Sequence, residues 1–169
     1  GAAQVLLEID DKTDGQHKRF LFSGDVGRGH NEVLRDPVVA EDIDFLLMES
    51  TYGGREHMAP TGMGEQFAQV LKEAINRGGK VLIPSFAVER TQQMLFLLNE
   101  RFANGAWPRI KVIVDSPLAV NEPEIYRLHP ACCNEEVYET LFGKQNPFGF
   151  DNLTLIRSVS ASKDLTKIH

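Results

Sequence analysis

Cysteine is nearly absent from this chain, and the two it has, Cys132 and Cys133, are adjacent. Neighbouring cysteines cannot close an ordinary disulfide with each other and lack the spacing of a zinc-binding pair, so the composition favours a reducing, cytoplasmic setting. An excess of positive charge is missing too. Lys and Arg number 18 against 24 Asp and Glu, a formal charge of −6, which excludes a global field that would hold nucleic acid non-specifically. Any polyanion has to meet a local patch. No apolar run approaches the roughly 20 residues of a membrane-spanning helix, and the first residues have neither segment of a signal peptide. The glycine-rich stretches Gly27-Arg28-Gly29 and Gly53-Gly54 have no Lys-Ser/Thr continuation, which excludes a phosphate loop of the ATPase kind.

What the chain does have is 42% hydrophobic residues over 169 positions, enough for a real core. Four apolar runs each stop at small polar or acidic groups: Phe20-Leu21-Phe22-Ser23-Gly24-Asp25, Phe45-Leu46-Leu47-Met48-Glu49-Ser50, Val81-Leu82-Ile83-Pro84-Ser85 and Val112-Ile113-Val114-Asp115-Ser116. Such runs read as strands buried on both faces, and ligands of open α/β sheets bind outside the carboxyl ends of the strands. Asp25, Glu49, Ser85, Asp115 and Ser116 then share one rim. Asp115 and Ser116 have an equal claim to a plainer use, since Ser116-Pro117 suits a helix N-cap followed by proline in the first turn. Glu49 closes an apolar strand, where a carboxylate without a partner is costly to desolvate.

Residues 4–9 and 18–22 are strand-like around a turn-rich stretch, which predicts a hairpin. After residue 44 the pattern changes to alternating strands and helices, which argues for a parallel sheet. Phe67, Val70, Leu71, Ala74 and Ile75 define one helix face ended by Gly78-Gly79. A strand follows over 80–84, then a helix carrying Val88, Thr91, Leu95, Leu98 and Phe102, a strand over 111–114, helices over 122–128 and 135–142, a strand over 152–157 and a short helix from 162 to 168. The change of pattern at Gly53-Gly54 divides the chain into 1–53 and 54–169. Opening directly on a strand and closing without a polar tail, the sequence reads as an internal fragment.

Together these segments carry a resemblance. Phe22-Ser23-Gly24-Asp25-Val26-Gly27-Arg28, then Glu49-Ser50-Thr51-Tyr52-Gly53 with Arg55-Glu56-His57, Ile83-Pro84-Ser85-Phe86-Ala87-Val88-Glu89-Arg90-Thr91-Gln92, Val114-Asp115-Ser116-Pro117-Leu118-Ala119 and Arg157-Ser158-Val159 resemble, in order, the β-CASP family of metallo-β-lactamase-fold ribonucleases. The likeness is to the bacterial RNA-processing type, related to the endonuclease of pre-mRNA 3′-end formation. It implies an α/β fold in which 1–53 end a metallo-β-lactamase αββα half and 54–169 form a Rossmann-like β-CASP domain with a mainly parallel sheet, incomplete at its carboxyl end. It also implies zinc-dependent hydrolysis of RNA phosphodiester bonds in RNA processing or decay, through two zinc ions that activate water.

By the same resemblance Asp25 is catalytic and a metal ligand bridging the zinc ions, and Glu49 is the acidic residue that supports acid catalysis. Arg28, His57, Ser85 and Arg90 are the substrate-binding candidates, with plain surface ion pairing as the alternative for the two arginines. The family's His-x-His-x-Asp-His motif is absent, so the isolated chain is expected to be inactive and the activity to belong to a longer parent. The expected partner of that parent is single-stranded RNA, with no membrane and with a homodimer as the candidate assembly. An independent metal site from His30, His57, His129 and His169 with Asp25, Glu49 or Asp115 has no supporting spacing, and His17 and His129 read as surface residues. A noncatalytic RNA- or protein-binding module is the alternative function, and a hydrolase of small esters or β-lactams is disfavoured by the segments after Glu49.

Overall fold

The protein is described by a computed structural model over residues 3–27, 29–56, 62–143 and 146–165. It divides into two compact units, one from the described residues of 1–31 and 35–58, the other from 32–34 and the described residues of 59–169. No helix among the described residues is long and apolar enough to cross a membrane.

The first unit is a three-stranded sheet. Strands β1 (Val5–Asp10) and β2 (His17–Phe22) form the expected hairpin, antiparallel from Val5 opposite Phe22 to Asp10 opposite His17. Its turn is built by aspartates. Asp11 accepts the Thr13 N–H at 2.8 Å, Asp14 accepts the Gln16 N–H at 2.9 Å, and Gly15 supplies the left-handed residue at φ 70°. Strand β3 (Phe45–Leu47) lies parallel to β2, with Phe20 stacked on Phe45 at 4.5 Å. Asp44 fixes that register by accepting the Arg19 N–H at 2.7 Å, while the Arg19 guanidinium donates to the Glu41 carbonyl at 2.7 Å.

Here the expectation of strands buried on both faces fails. Leu46 and Leu47 are 56% and 66% exposed. The three strands are the only regular elements of this unit among the described residues, so it has no helix of its own to cover the sheet.

The second unit supplies the helices. Helix α1 (Met63–Asn76) realises the predicted stripe in part: Leu71 and Ala74 are buried and Phe67 half-buried, whereas Val70 and Ile75 are exposed. It ends in a Schellman motif: the Gly78 N–H donates to the Ile75 carbonyl, the Gly79 N–H to the Ala74 carbonyl, both at 2.9 Å, and Gly78 takes φ 65°. Helix α2 (Arg90–Ala103) buries Leu95, Phe96, Leu98 and Phe102. Strand β4 (Val112–Asp115) leads into α3 (Pro117–Leu128), a 3-10 turn at Pro130–Cys132 and α4 (Glu135–Phe142). Strand β5 (Leu153–Ile156) then pairs parallel with β4, Val112 opposite Leu153, before α5 (Val159–Leu165).

Val33, Leu95, Phe96, Tyr126, Cys133, Val137 and Phe148 form the main core, with Leu71, Leu98 and Phe102 in a second cluster. Burial pushes the Cys133 thiol pKa up, with the neighbouring Cys132 adding to it, as befits a packing residue rather than a nucleophile.

Val33 reaches this core because Asn134 holds the short segment 32–34. The Asn134 N–H donates to the Val33 carbonyl at 2.9 Å and its side-chain amide to the Glu32 carbonyl at 2.8 Å, while its side-chain oxygen accepts the Val137 N–H at 3.0 Å as the cap of α4. A bridge between Leu34 and Cys133 completes the join.

Several boundaries depart from expectation. Residues 79–86 form no strand: Leu82 is 91% exposed, and neither β4 nor β5 offers this stretch a ladder. A run of apolar residues becomes a strand only where a neighbour pairs with its backbone, and Pro84 has no N–H to contribute. The parallel sheet of this unit is accordingly two strands, not a longer series. Helix α2 starts after Val88, because Glu89 stands at φ 72° and ψ −67° and interrupts the helical path. Conversely α3 starts five residues before the predicted 122, since Ser116 caps it by accepting the Ala119 N–H at 3.2 Å and Pro117 fits the first turn. Helix α5 likewise starts three residues early at Val159, and the predicted positions 166–168 lie outside the described residues.

Two stability changes follow. Asn134→Ala removes a cap and an amide donor and lowers the unfolding free energy by about 2 kcal/mol, read as an earlier urea midpoint, whereas Asn134→Asp keeps the cap and loses about half as much. Glu89→Gly relieves a positive-φ position and raises stability by about 1 kcal/mol after the added chain entropy of glycine, read as a higher melting temperature.

Candidate functional site

Because β2 and β3 are parallel, the segments leaving Phe22 and Leu47 emerge from the same end of their sheet. Asp25 lies on the first and Glu49 on the second, so the structure places both carboxylates beyond the carboxyl edge of one parallel pair. Ser23, 5% exposed, ties the two segments together. Its N–H donates to the Leu47 carbonyl at 3.0 Å, and its hydroxyl donates to the Gly24 carbonyl at 2.8 Å while accepting the Glu49 N–H at 3.1 Å. Gly24 follows at φ 56°, with the Ala3 carbonyl oxygen against the place a Cβ would occupy, so only glycine fits the turn into Asp25. Sequence reading assigned Ser23 no role; its signal was a lone serine between a strand and a glycine turn.

Glu49 does not meet the environment expected for it. It is exposed rather than desolvated, and its carboxylate accepts the Thr51 N–H at 2.8 Å. That backbone donor, then the Thr51 hydroxyl, hold its pKa below the usual glutamate range. Asp25 is exposed, and Arg28 and His57 lie outside the described residues.

The second unit has its own carboxyl edge. Asp115 ends β4 beside Ile156 of β5, and its carboxylate accepts the Ser162 hydroxyl at 2.7 Å, linking the strand to α5. Ser116 takes the capping role. Ser85 and Arg90 are exposed, on either side of the turn that precedes α2.

Among the described residues no three His, Cys, Asp or Glu side chains form a group that could hold a metal ion. His30 sits 4.0 Å from the Asp36 carboxylate and His17 pairs with Asp10 at 2.8 Å, a contact that raises the His17 pKa. His57 and His169 fall outside the described residues. One exposed Asp25 carboxylate does not hold two zinc ions, so the described residues do not themselves constitute a zinc centre.

Strands β4 and β5, parallel and joined through α3 and α4, define an α/β unit. Residues 91–169 belong to the β-CASP family, matching the Beta-Casp domain model. The chain is 34% identical over 154 residues to Ribonuclease TTHA0252 of Thermus thermophilus, an alignment covering 90% of this chain and 35% of that protein. It is 29% identical over 152 residues to an RNase J-like protein of Methanocaldococcus jannaschii, covering 88% and 34% respectively. Against Cleavage and polyadenylation specificity factor subunit 3-I of Arabidopsis thaliana the identity is 30% over 167 residues, covering 98% of this chain and 23% of that protein. The chain thus spans about a third or less of the length of these relatives.

The Glu49 environment is open to direct measurement. In a carboxyl-carbon NMR titration Glu49 titrates below the usual glutamate range, and Thr51→Ala reduces the displacement without abolishing it, because the backbone N–H remains. A depressed folded-state pKa favours the folded state above the unfolded value, and that contribution disappears as the pH falls through the folded one.

Proposed function

We propose that this chain is a segment of a longer, zinc-dependent ribonuclease that hydrolyses phosphodiester bonds of single-stranded RNA during RNA processing or decay in the cytoplasm. Residues 1–53 would close a metallo-β-lactamase αββα half and 54–169 would belong to a Rossmann-like β-CASP domain. The observation that carries this reading is similarity along 90% of the chain to a protein named a ribonuclease and along 98% of it to a cleavage and polyadenylation factor.

The geometry supports roles for two carboxylates. Asp25 and Glu49 follow neighbouring parallel strands held in register by Ser23, the edge at which α/β proteins place their chemistry. Asp25 is the proposed metal ligand, with the remaining ligands contributed by parts of the longer protein. Glu49, ionised at neutral pH, is proposed to organise the acid that protonates the leaving oxygen. Ser85 and Arg90 are proposed to contact RNA, a hydroxyl and a guanidinium fork being suited to phosphate oxygens. Arg28 and His57 are assigned to substrate by their sequence segments alone.

In the longer protein, Asp25→Asn lowers cleavage of single-stranded RNA by about a hundredfold or more. Retained cleavage at equal metal content rejects the Asp25 role. Glu49→Ala, with metal content unchanged, lowers kcat by about 10²-fold or more. A parent that binds RNA tightly and never cuts it supports a noncatalytic binding module instead.

A further inference from the structure

The turn into α2 is fixed in an unusual way. Glu89 occupies φ 72° and ψ −67°, and the Arg90 N–H donates to the Val88 carbonyl at 3.0 Å. This is a γ-turn of the rare hand, strained for any residue with a side chain, and such geometry persists only where its surroundings over-determine it. Among those surroundings are the next two side chains. Thr91, 8% exposed, donates its hydroxyl to the Phe86 carbonyl at 2.7 Å. Gln92, fully buried, donates its amide to the Ala87 carbonyl at 3.0 Å, and among the described residues its own side-chain oxygen has no hydrogen-bond partner.

A helix start is ordinarily closed by an N-cap side chain that accepts from the first turn. In α2 the direction is reversed. The Glu89 carboxylate caps no backbone N–H, accepting the Gln93 side-chain amide at 3.4 Å instead, and two buried donors of the first turn reach back to consecutive carbonyls of the loop. The Gln92 amide thus fixes the Ala87 carbonyl from the interior, as the Thr91 hydroxyl fixes that of Phe86. Ser85 immediately precedes the clamped stretch and Arg90 immediately follows it, both exposed.

We infer that Thr91 and Gln92 are positioning residues that preorganise residues 85–90 for contact with the sugar–phosphate backbone of single-stranded RNA. This rests on the ribonuclease reading above and adds to it the device that holds the substrate contacts. A contact made from a loop already fixed does not have to order that loop on binding, so its strength depends on the clamp.

The test uses the longer protein, a labelled single-stranded RNA oligonucleotide, and the salt dependence of its dissociation constant. Thr91→Val keeps the shape and loses the hydroxyl, Thr91→Ser keeps the hydroxyl, and Gln92→Met keeps the length and loses the donor. Positioning predicts that Thr91→Val and Gln92→Met weaken binding about three- to tenfold, the range of one lost hydrogen bond. Both variants also flatten the log–log salt slope by about 0.7, the loss of one phosphate contact on a single strand. KM rises in both with kcat kept, and Thr91→Ser stays within twofold of the parent. Melting temperatures identify a variant that has merely unfolded, in which case the other non-donor variant carries the test. Wild-type affinity in the folded Thr91→Val and Gln92→Met variants, or Thr91→Ser as weak as Thr91→Val, overturns the inference and leaves the ribonuclease reading standing. A parent protein with no affinity for single-stranded RNA overturns both.

Discussion

One asparagine joins the core of the larger unit to a piece of chain far from it in sequence. Asn134 caps α4 with its side-chain oxygen and donates from its side-chain amide and its backbone N–H to the carbonyls of Glu32 and Val33. Those bonds seat Val33, fully buried, among Leu95, Phe96, Tyr126 and Phe148. Without them the segment 32–34 loses the backbone and side-chain bonds that keep Val33 in this core.

The parallel pairs organise the rest. In the first unit β2 and β3 run the same way, and Ser23 turns that geometry into a defined edge by bonding to both strand ends. In the second, β4 and β5 do the same, with Asp115 reaching Ser162 and Ser116 starting α3. The polar residues at these edges are therefore of two kinds. Ser23 and Ser116 are fully used in holding the structure, while Asp25 and Arg90 stand exposed.

Much of this was legible in the sequence wherever the signal was local. The hairpin announced itself through the aspartate- and glycine-rich turn at 11–16, the end of α1 through Gly78-Gly79, and α4 through the helical pattern of 135–142. What was not legible depends on partners distant in sequence. Residues 80–84 have the composition of a strand, yet composition does not supply a neighbouring ladder. The burial expected for Glu49 was inferred from the apolar residues before it, but burial is set by what packs on the sheet. Ser23 and Asn134 escaped notice because serine and asparagine after apolar segments are ordinary turn formers, and only their partners' positions reveal a tie between strands or units of chain. The left-handed Glu89 had no sequence mark at all, since glutamate has no preference for that region.

The bond from Asn134 to Glu32 spans 102 residues, and this separation sets the order of events as the chain is made. At a synthesis rate of about 5–20 residues per second, Val33 waits on the order of 5–20 s before the residues that enclose it exist. Closing so long a loop late is slow compared with forming the hairpin or the helices, whose contacts are local. Val33, fully buried in the finished fold, thus stays uncovered through most of translation, and its enclosure is a late step.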